Sequence, residues 1–241
     1  MKTYNPSGIT LDFEPSHVHF IEPLKSSETS EIFHISYDGQ SYFLKVFHMD
    51  DDPGFSPDGR DLSRYRCESQ AYLALSRHGT CDMGIVPQFY GVLENLDPSV
   101  FEPNLEAFNE DKVHPCAIIL EYLHDASVFT SEPRSVELRQ YAKDALNQIH
   151  QAGVIHNDPH PTRNLVVASG GRVVWVDFDT SIVFSGARRG ELDFNEEACD
   201  ELKYFESCAR RFPVKGTPLQ GNKMPMPQSH LSSSTVALIG E

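Results

Sequence analysis

The chain reads as an α+β fold, with a β-rich amino-terminal half and a more helical carboxy-terminal half. Three observations predict it. Short runs of β-branched and aromatic residues crowd residues 17 to 47. A helical pattern interrupts the strands between Leu62 and Arg77. After residue 135 the helical period dominates, broken by one short hairpin.

Taken in order, HVHFIEPL, EIFHISYDG and SYFLKVF form a strand meander, with Tyr37-Asp38-Gly39-Gln40 as a hairpin turn. Asp50-Asp51-Asp52-Pro53-Gly54 through Asp58-Gly59 is a loop by composition. The helix from Leu62 to Arg77 stops at Gly79 and puts Glu68, Tyr72 and Leu75 on one face. VPQFYGVL, near residues 86 to 93, is a strand, and the polar, acidic stretch Glu94 to Val113 reads as an insertion. CAIILEYL, Cys116 to Leu123, is a continuous apolar run and hence a buried strand. After a Ser/Thr/Pro-rich link, SVELRQYAKDALNQIHQAG places Leu138, Ala142, Ala145 and Ile149 on one helix face, with Gly153 as its stop. Leu165 to Val167 and Val173 to Val176 pair across Ser169-Gly170-Gly171, and Glu191 to Arg211 is a last helix. The division that follows is an extension over 1–16, a β-rich part over 17–123, a helical part over 124–211 and a flexible tail over 212–241.

A formal net charge of −15 excludes a nucleic-acid or anionic-membrane surface as the expected partner. The five cysteines include no C-x-x-C pair, which suits a reducing compartment. MKTYNPSGIT has no apolar signal core and no window reaches membrane-spanning length, so a cytoplasmic or nuclear location is expected.

The chemistry-bearing residues sit mainly between Leu146 and Asp179. This stretch, LNQIHQAGVIHNDPHPTRNLVVASGGRVVWVDFD, gathers His156, Asp158, Asn164 and Asp177 around an apolar strand pair. A carboxylate to orient an acceptor hydroxyl, then an amide and a second carboxylate to hold magnesium, is the set that phosphoryl transfer needs. Upstream, Lys45 is the one charge in the apolar strand FLKVF, so it must point outward or meet an anion.

The order H-x-D, Asn, then D-F-x after a hairpin resembles the catalytic half of the protein-kinase-like family. The resemblance covers residues 17 to about 211 and implies a bilobal fold, with a small β-rich N-lobe and a truncated, mainly helical C-lobe. It also implies ATP and Mg2+ as cofactors and a hydroxyl on a protein or small molecule as acceptor. On it, Lys45 would contact the nucleotide's α/β phosphates and pair with Glu68, and Asp158 would orient the acceptor hydroxyl and accept its proton. His156 belongs to the same catalytic group, with packing beneath the site as its expected role. Asn164 and Asp177 would hold the metal, and the strand end at Glu121 and Leu123 would hydrogen-bond adenine through its backbone. Phe178 would pack against His156 and Tyr72. His160 resembles the histidine of H-G-D-x-H-P in small-molecule and atypical kinases.

Several positions depart from the family pattern. Asn157 replaces the arginine that answers activation-loop phosphorylation, so that control is not expected. Asp158 and Asn164 are six positions apart, one more than the pattern has, and the extra residue is expected to form a loop bulge. Asp179 replaces a glycine, Leu24 to Glu31 holds no glycine where a nucleotide-covering loop belongs, and no A-P-E follows. Two other readings stand beside this one: a kinase-like binding module without catalysis, and a metal hydrolase built on His150, His156, Asp158 and His160.

Overall fold

Five antiparallel strands make the main sheet, in the order β1-β2-β3-β5-β4. They are β1 (Val18–Ser26), β2 (Ser30–Tyr37), β3 (Gln40–Met49), β4 (Phe89–Leu93) and β5 (Val113–Glu121). The computed structural model describes residues 13–129 and 135–211. The tail expected over 212–241, part of the Ser/Thr/Pro-rich link and most of the extension over 1–16 lie outside the described residues. Within that extension, Phe13 is buried and stacks on Tyr37 at 5.3 Å, so the body of the fold begins earlier than expected.

The turn between β2 and β3 uses Asp38 and Gly39 with φ of 48° and 77°, the left-handed pair that a two-residue hairpin requires. Side chains alternate across each strand. In β3, Leu44 and Val46 enter one apolar cluster while Phe43 and Phe47 join another. Burial on both faces is why β5 reads as an unbroken apolar run.

Residues 94–113 lie between β4 and β5, as the insertion reading has it, but they also cover the outer face of the sheet, which their polar composition does not suggest. Two short 3-10 turns, Pro98–Phe101 and Glu106–Phe108, help set Leu96, Phe101, Leu105 and Phe108 into the cluster with Leu44, Val46, Ala117 and Ile119. Those apolar residues are scattered among acids at irregular spacing, so no helical or strand period betrays them.

The inner face carries α1 (Arg64–His78). Ser63 caps it by accepting the Arg66 N–H, and the left-handed Gly79 closes it. The cap explains why the helix starts two residues later than the apolar pattern suggested. Glu68, Tyr72 and Leu75 are all buried on its inward face.

Downstream lie β6 (Ser127–Val128), α2 (Val136–Gln151), β7 (Val154–Ile155), β8 (Leu165–Ala168) and β9 (Arg172–Trp175). β8 and β9 form the expected hairpin, with β6 on the far side of β8. β10 (Ile182–Val183) pairs with β7, and β11 (Arg188–Arg189) with β12 (Leu192–Asp193). That small ribbon occupies the expected start of the last helix. α3 therefore runs Phe194–Ala209, capped by the Asp193 carboxylate. Gly153 ends α2 with φ of 76°, and a Cβ there would lie 2.8 Å from the Phe184 carbonyl oxygen, so the chain reversal depends on glycine.

A single apolar core joins the two halves. Tyr72, Phe89 and Ile118 from the sheet side are continuous with Phe178, Trp175, Leu146 and Phe205. The Trp175 indole N–H donates to the Ala142 carbonyl at 3.1 Å, fixing β9 against α2. The result is a mixed α and β architecture, compatible with the α+β class. No helix of the described residues is long and apolar enough to cross a membrane.

Candidate active site

Lys45 projects from the inner face of β3 and is 5% exposed. Its Nζ lies 2.6 Å from Glu68 Oε2 on α1 and 2.6 Å from Asp177 Oδ1 beyond β9. Glu68 is 1% exposed, so this is a buried ion triad and not a surface pairing. Burial opposes the Lys45 charge, but Asp177 and Glu68 outweigh it and hold its pKa above the ordinary lysine value. Burial also works to raise Asp177, yet the Lys45 ammonium holds that carboxyl below its usual range. Glu68 goes the other way: burial, reinforced by Asp177 and Asp179, lifts it above the usual range despite Lys45. One ammonium cannot satisfy two buried carboxylates equally.

Asp177 has φ of 65°, a left-handed conformation uncommon for a residue with a Cβ. It leaves the line of β9 there, and its carboxylate meets Lys45. Two contacts brace the turn. The Val176 N–H donates to the Asn164 carbonyl at 2.9 Å, and His156 Nε2 lies 3.0 Å from the Val176 carbonyl oxygen. Phe178 is fully buried, 4.5 Å from the His156 ring and 5.4 Å from Tyr72, as its sequence position suggested. Asp179 receives Arg64 Nη1 at 3.1 Å, which ties α1 to the segment after Asp177. Burial and the neighbouring Asp177 raise the Asp179 carboxyl.

The loop from His156 to Asn164 closes on itself. The Asn164 Nδ2 lies 2.8 Å from the Asp158 carbonyl oxygen and 2.9 Å from its Oδ2. Arg163 Nη2 lies 2.8 Å from Asp158 Oδ1. The extra residue between Asp158 and Asn164 is taken up in a turn, where the Arg163 and Asn164 N–H groups both donate to the His160 carbonyl at 3.0 Å. Thr162 Oγ1 sits 2.6 Å from His160 Nδ1 within it.

His156 is fully buried, and its ring supports the Val176 backbone. Because a carbonyl only accepts, Nε2 carries the proton, and Nδ1 has no partner among the described residues. This is a positioning role, in line with the packing expected from the sequence. The three histidines of the hydrolase reading do not converge: His150 meets Glu201, His156 meets Val176 and His160 meets Thr162. Among the described residues no group of three or more His, Cys, Asp or Glu side chains is placed to hold a metal ion.

Glu121 and Leu123 stand at the end of β5. The Glu121 N–H donates to the Gln88 carbonyl at 2.9 Å, while its carboxylate takes the Gln88 N–H at 3.1 Å and both Arg172 Nη atoms. Leu123 packs with Val166, Ala168 and Val174, and Phe43 leans on the same cluster. The glycine-free segment is a tight hairpin closed by its own hydroxyls. Ser27 Oγ accepts the Ser30 N–H at 3.1 Å, and Glu31 is held outward by Ser26 at 3.2 Å.

Sequence reasoning missed Glu201. It lies buried on α3, and its carboxylate accepts the N–H groups of His156 at 3.2 Å and Asn157 at 2.5 Å, with His150 Nε2 at 2.6 Å. It thus holds the loop that carries Asp158. The available signal was a glutamate in helical register with the apolar Phe205 and Cys208. Arg60, which reaches Asn157 Oδ1 at 3.4 Å, and Arg64 were missed as well.

No protein-family model matches this chain, and no curated protein matches it.

Proposed function

We propose that the chain is an ATP- and Mg2+-dependent phosphotransferase with a bilobal, protein-kinase-like arrangement, acting on a hydroxyl of a protein or small molecule. The observation that carries this reading is the buried triad of Lys45, Glu68 and Asp177, joined through Val176 and Asn164 to Asp158. Residues 17–123 would form the small lobe and 124–211 the truncated helical one, with the segment from Glu121, the end of β5, to Leu123 as the hinge.

The donor set fits magnesium. Mg2+ is usually held by one or two protein groups plus substrate phosphates, not by a full protein cage. Asp177 and Asn164 supply one carboxylate and one amide oxygen, the Asn164 Nδ2 being committed to Asp158. Bound there, the ion would neutralise charge developing on the phosphates.

The protein's own part is orientation and proton transfer. Lys45, held by Glu68, would grip the α/β phosphates. Asp158 would take the hydroxyl proton as the new O–P bond forms and the bond to the ADP oxygen breaks. Glu201 and His156 would keep Asp158 and Asp177 in register.

One observation favours the second reading, a kinase-like binding module without catalysis. Phe43, two positions before Lys45, packs against the cluster of Leu123, Val166, Ala168 and Val174, beside the segment where the resemblance puts adenine. The two readings part on labelled-phosphate transfer from ATP, and the nucleotide site that the first requires is tested by heat unfolding with millimolar ATP and Mg2+. A ligand of the folded state raises the midpoint by mass action. The phosphotransferase reading expects such a shift, reduced by Lys45→Met and by Asp177→Asn. Absence of any nucleotide-dependent shift in the wild type would overturn it.

A further inference from the structure

Lys25 and Lys45 lie in one row across the main sheet. Lys25 on β1 pairs with Ile32 on β2, and Ile32 pairs with Lys45 on β3. Residues paired across a ladder share a face, so Lys25 stands on the inner face with Lys45. Their backbones are two strand spacings apart, roughly 10 Å. The neighbouring row agrees: Glu22, His34 and Phe43 pair in the same order, and Glu22 Oε1 lies 3.7 Å from His34 Nδ1. A bulge sets this register. Pro23 faces Phe33 and Lys25 faces Ile32, which leaves Leu24 as the extra residue between them. In a regular strand Leu24 would take that place in the row. Bulges re-aim side chains in this way beside binding sites.

Partly buried on that face, Lys25 acts on the same site as Lys45. Burial works to raise the Asp177 carboxyl and Lys45 outweighs it, and the Lys25 charge adds to the lowering. The other donors near this space are committed. Lys45 is held at 2.6 Å by both Glu68 and Asp177. The turn that follows Lys25 spends its amides on itself. The Ser27 N–H donates to the Ser30 carbonyl at 2.9 Å, and the Thr29 and Ser30 N–H groups donate to Ser27 Oγ at 3.4 and 3.1 Å. A glycine loop cradles phosphate with backbone amides that it leaves open to the ligand. This tight turn does not, and a phosphate chain laid against Lys45 finds its second cation in the Lys25 ammonium, which moves on a flexible stem.

We infer that Lys25 is a second phosphate-binding residue, reaching from β1 to the terminal phosphates of a polyphosphate ligand in place of a covering glycine loop. That the ligand is a nucleotide rests on the phosphotransferase reading; the phosphate site between Lys25 and Lys45 does not. Lys45, tied to Glu68, fixes the inner end of the chain of phosphates, and the mobile Lys25 closes on the outer end.

Heat unfolding of the full chain tests this, with inorganic tripolyphosphate, ATP or AMP, each with Mg2+ and against chloride at matched ionic strength. Tripolyphosphate and ATP should stabilise the wild type. Lys25→Met keeps most of the apolar stem and should lose about ten-fold or more in affinity for both, the scale of one charged hydrogen bond. Lys25→Gln should repeat that loss with a polar stem, and Lys25→Arg should keep most of the binding. Lys112→Met removes an exposed lysine paired with Asp51, controls for the general loss of one positive charge, and should bind as wild type does. AMP, which has no terminal phosphates, should lose less than ATP in Lys25→Met. Equal ATP affinity in wild type and Lys25→Met, or an equal loss in Lys112→Met, would overturn the inference and leave the phosphotransferase reading standing. An AMP affinity that falls as far as that of ATP would overturn the assignment to the terminal phosphates. Tripolyphosphate bound through Lys25 with no ATP binding would overturn the phosphotransferase reading and leave the phosphate site standing. No shift with either ligand in the wild type would overturn both.

Discussion

Glu201→Ala should be among the most damaging single changes away from the ion triad. The carboxylate accepts from His156 N–H, Asn157 N–H and His150 Nε2, and it is only 6% exposed, so water has little access to replace it. Leaving a buried donor without a partner costs about 1–3 kcal/mol. Three such donors, partly rehydrated through the cavity left behind, set an expected loss of about 3–5 kcal/mol. That is a large share of the roughly 5–15 kcal/mol of a typical domain. Glu201→Gln keeps one acceptor oxygen but turns an N–H against a donor, so about half the loss should remain. Urea unfolding reads this directly, with the single tryptophan as reporter. Trp175 is fully buried, 5.5 Å from His156 and 5.4 Å from Phe205. Amide exchange at His156 and Asn157 should speed up more than at β3. An Ala variant within about 0.5 kcal/mol of wild type, the range of an ordinary surface change, would refute the assignment of Glu201 as the anchor of this loop.

Three further outcomes are expected. Asp158→Asn should cut phosphoryl transfer by about 100-fold or more, the contribution of a positioned base, while the ATP-dependent thermal shift persists; equal rates in both proteins would sink the role. Glu68, pushed up to about 8 from 4.5, keeps a proton in the folded chain that the unfolded chain has released, so its contribution to stability falls as pH rises between those values. Glu68→Gln should therefore flatten the pH dependence of the urea midpoint across that window, and an unchanged slope would contradict it. Gly153→Ala should cost clearly more than Gly170→Ala. Both have positive φ, but a Cβ at Gly153 meets the Phe184 carbonyl oxygen at 2.8 Å while Gly170 faces open space. Chemical denaturation of the two variants decides it.

Much of the site was legible because its signals are local. A lysine inside FLKVF cannot be buried unpaired, Glu68 sits on the inward stripe of the next helix, and the family resemblance pairs the two. The turn that absorbs the residue between Asp158 and Asn164 was likewise expected from the intact hairpin after it. Residues 94–113 were not legible, because Leu96, Phe101, Leu105 and Phe108 follow no period and are ordered only by the sheet face they cover.

What the amino-acid order determined by itself was the longer strands, the three helices, the inward faces of the first two helices and the chemical types gathered near Asp177, since periodicity and capping act over a few residues. Tertiary structure alone decided which charges meet. Glu201 binds backbone 45 residues away, Arg64 reaches Asp179 across 115, and Arg163 turns back onto Asp158 instead of outward. A helix pattern says that such a side chain faces inward or outward, but its partner is set by how the sheet, α1 and α3 close around one core. For that reason the Lys45–Glu68 pair could be foreseen, while the Lys45–Asp177 contact and the anchor at Glu201 could not.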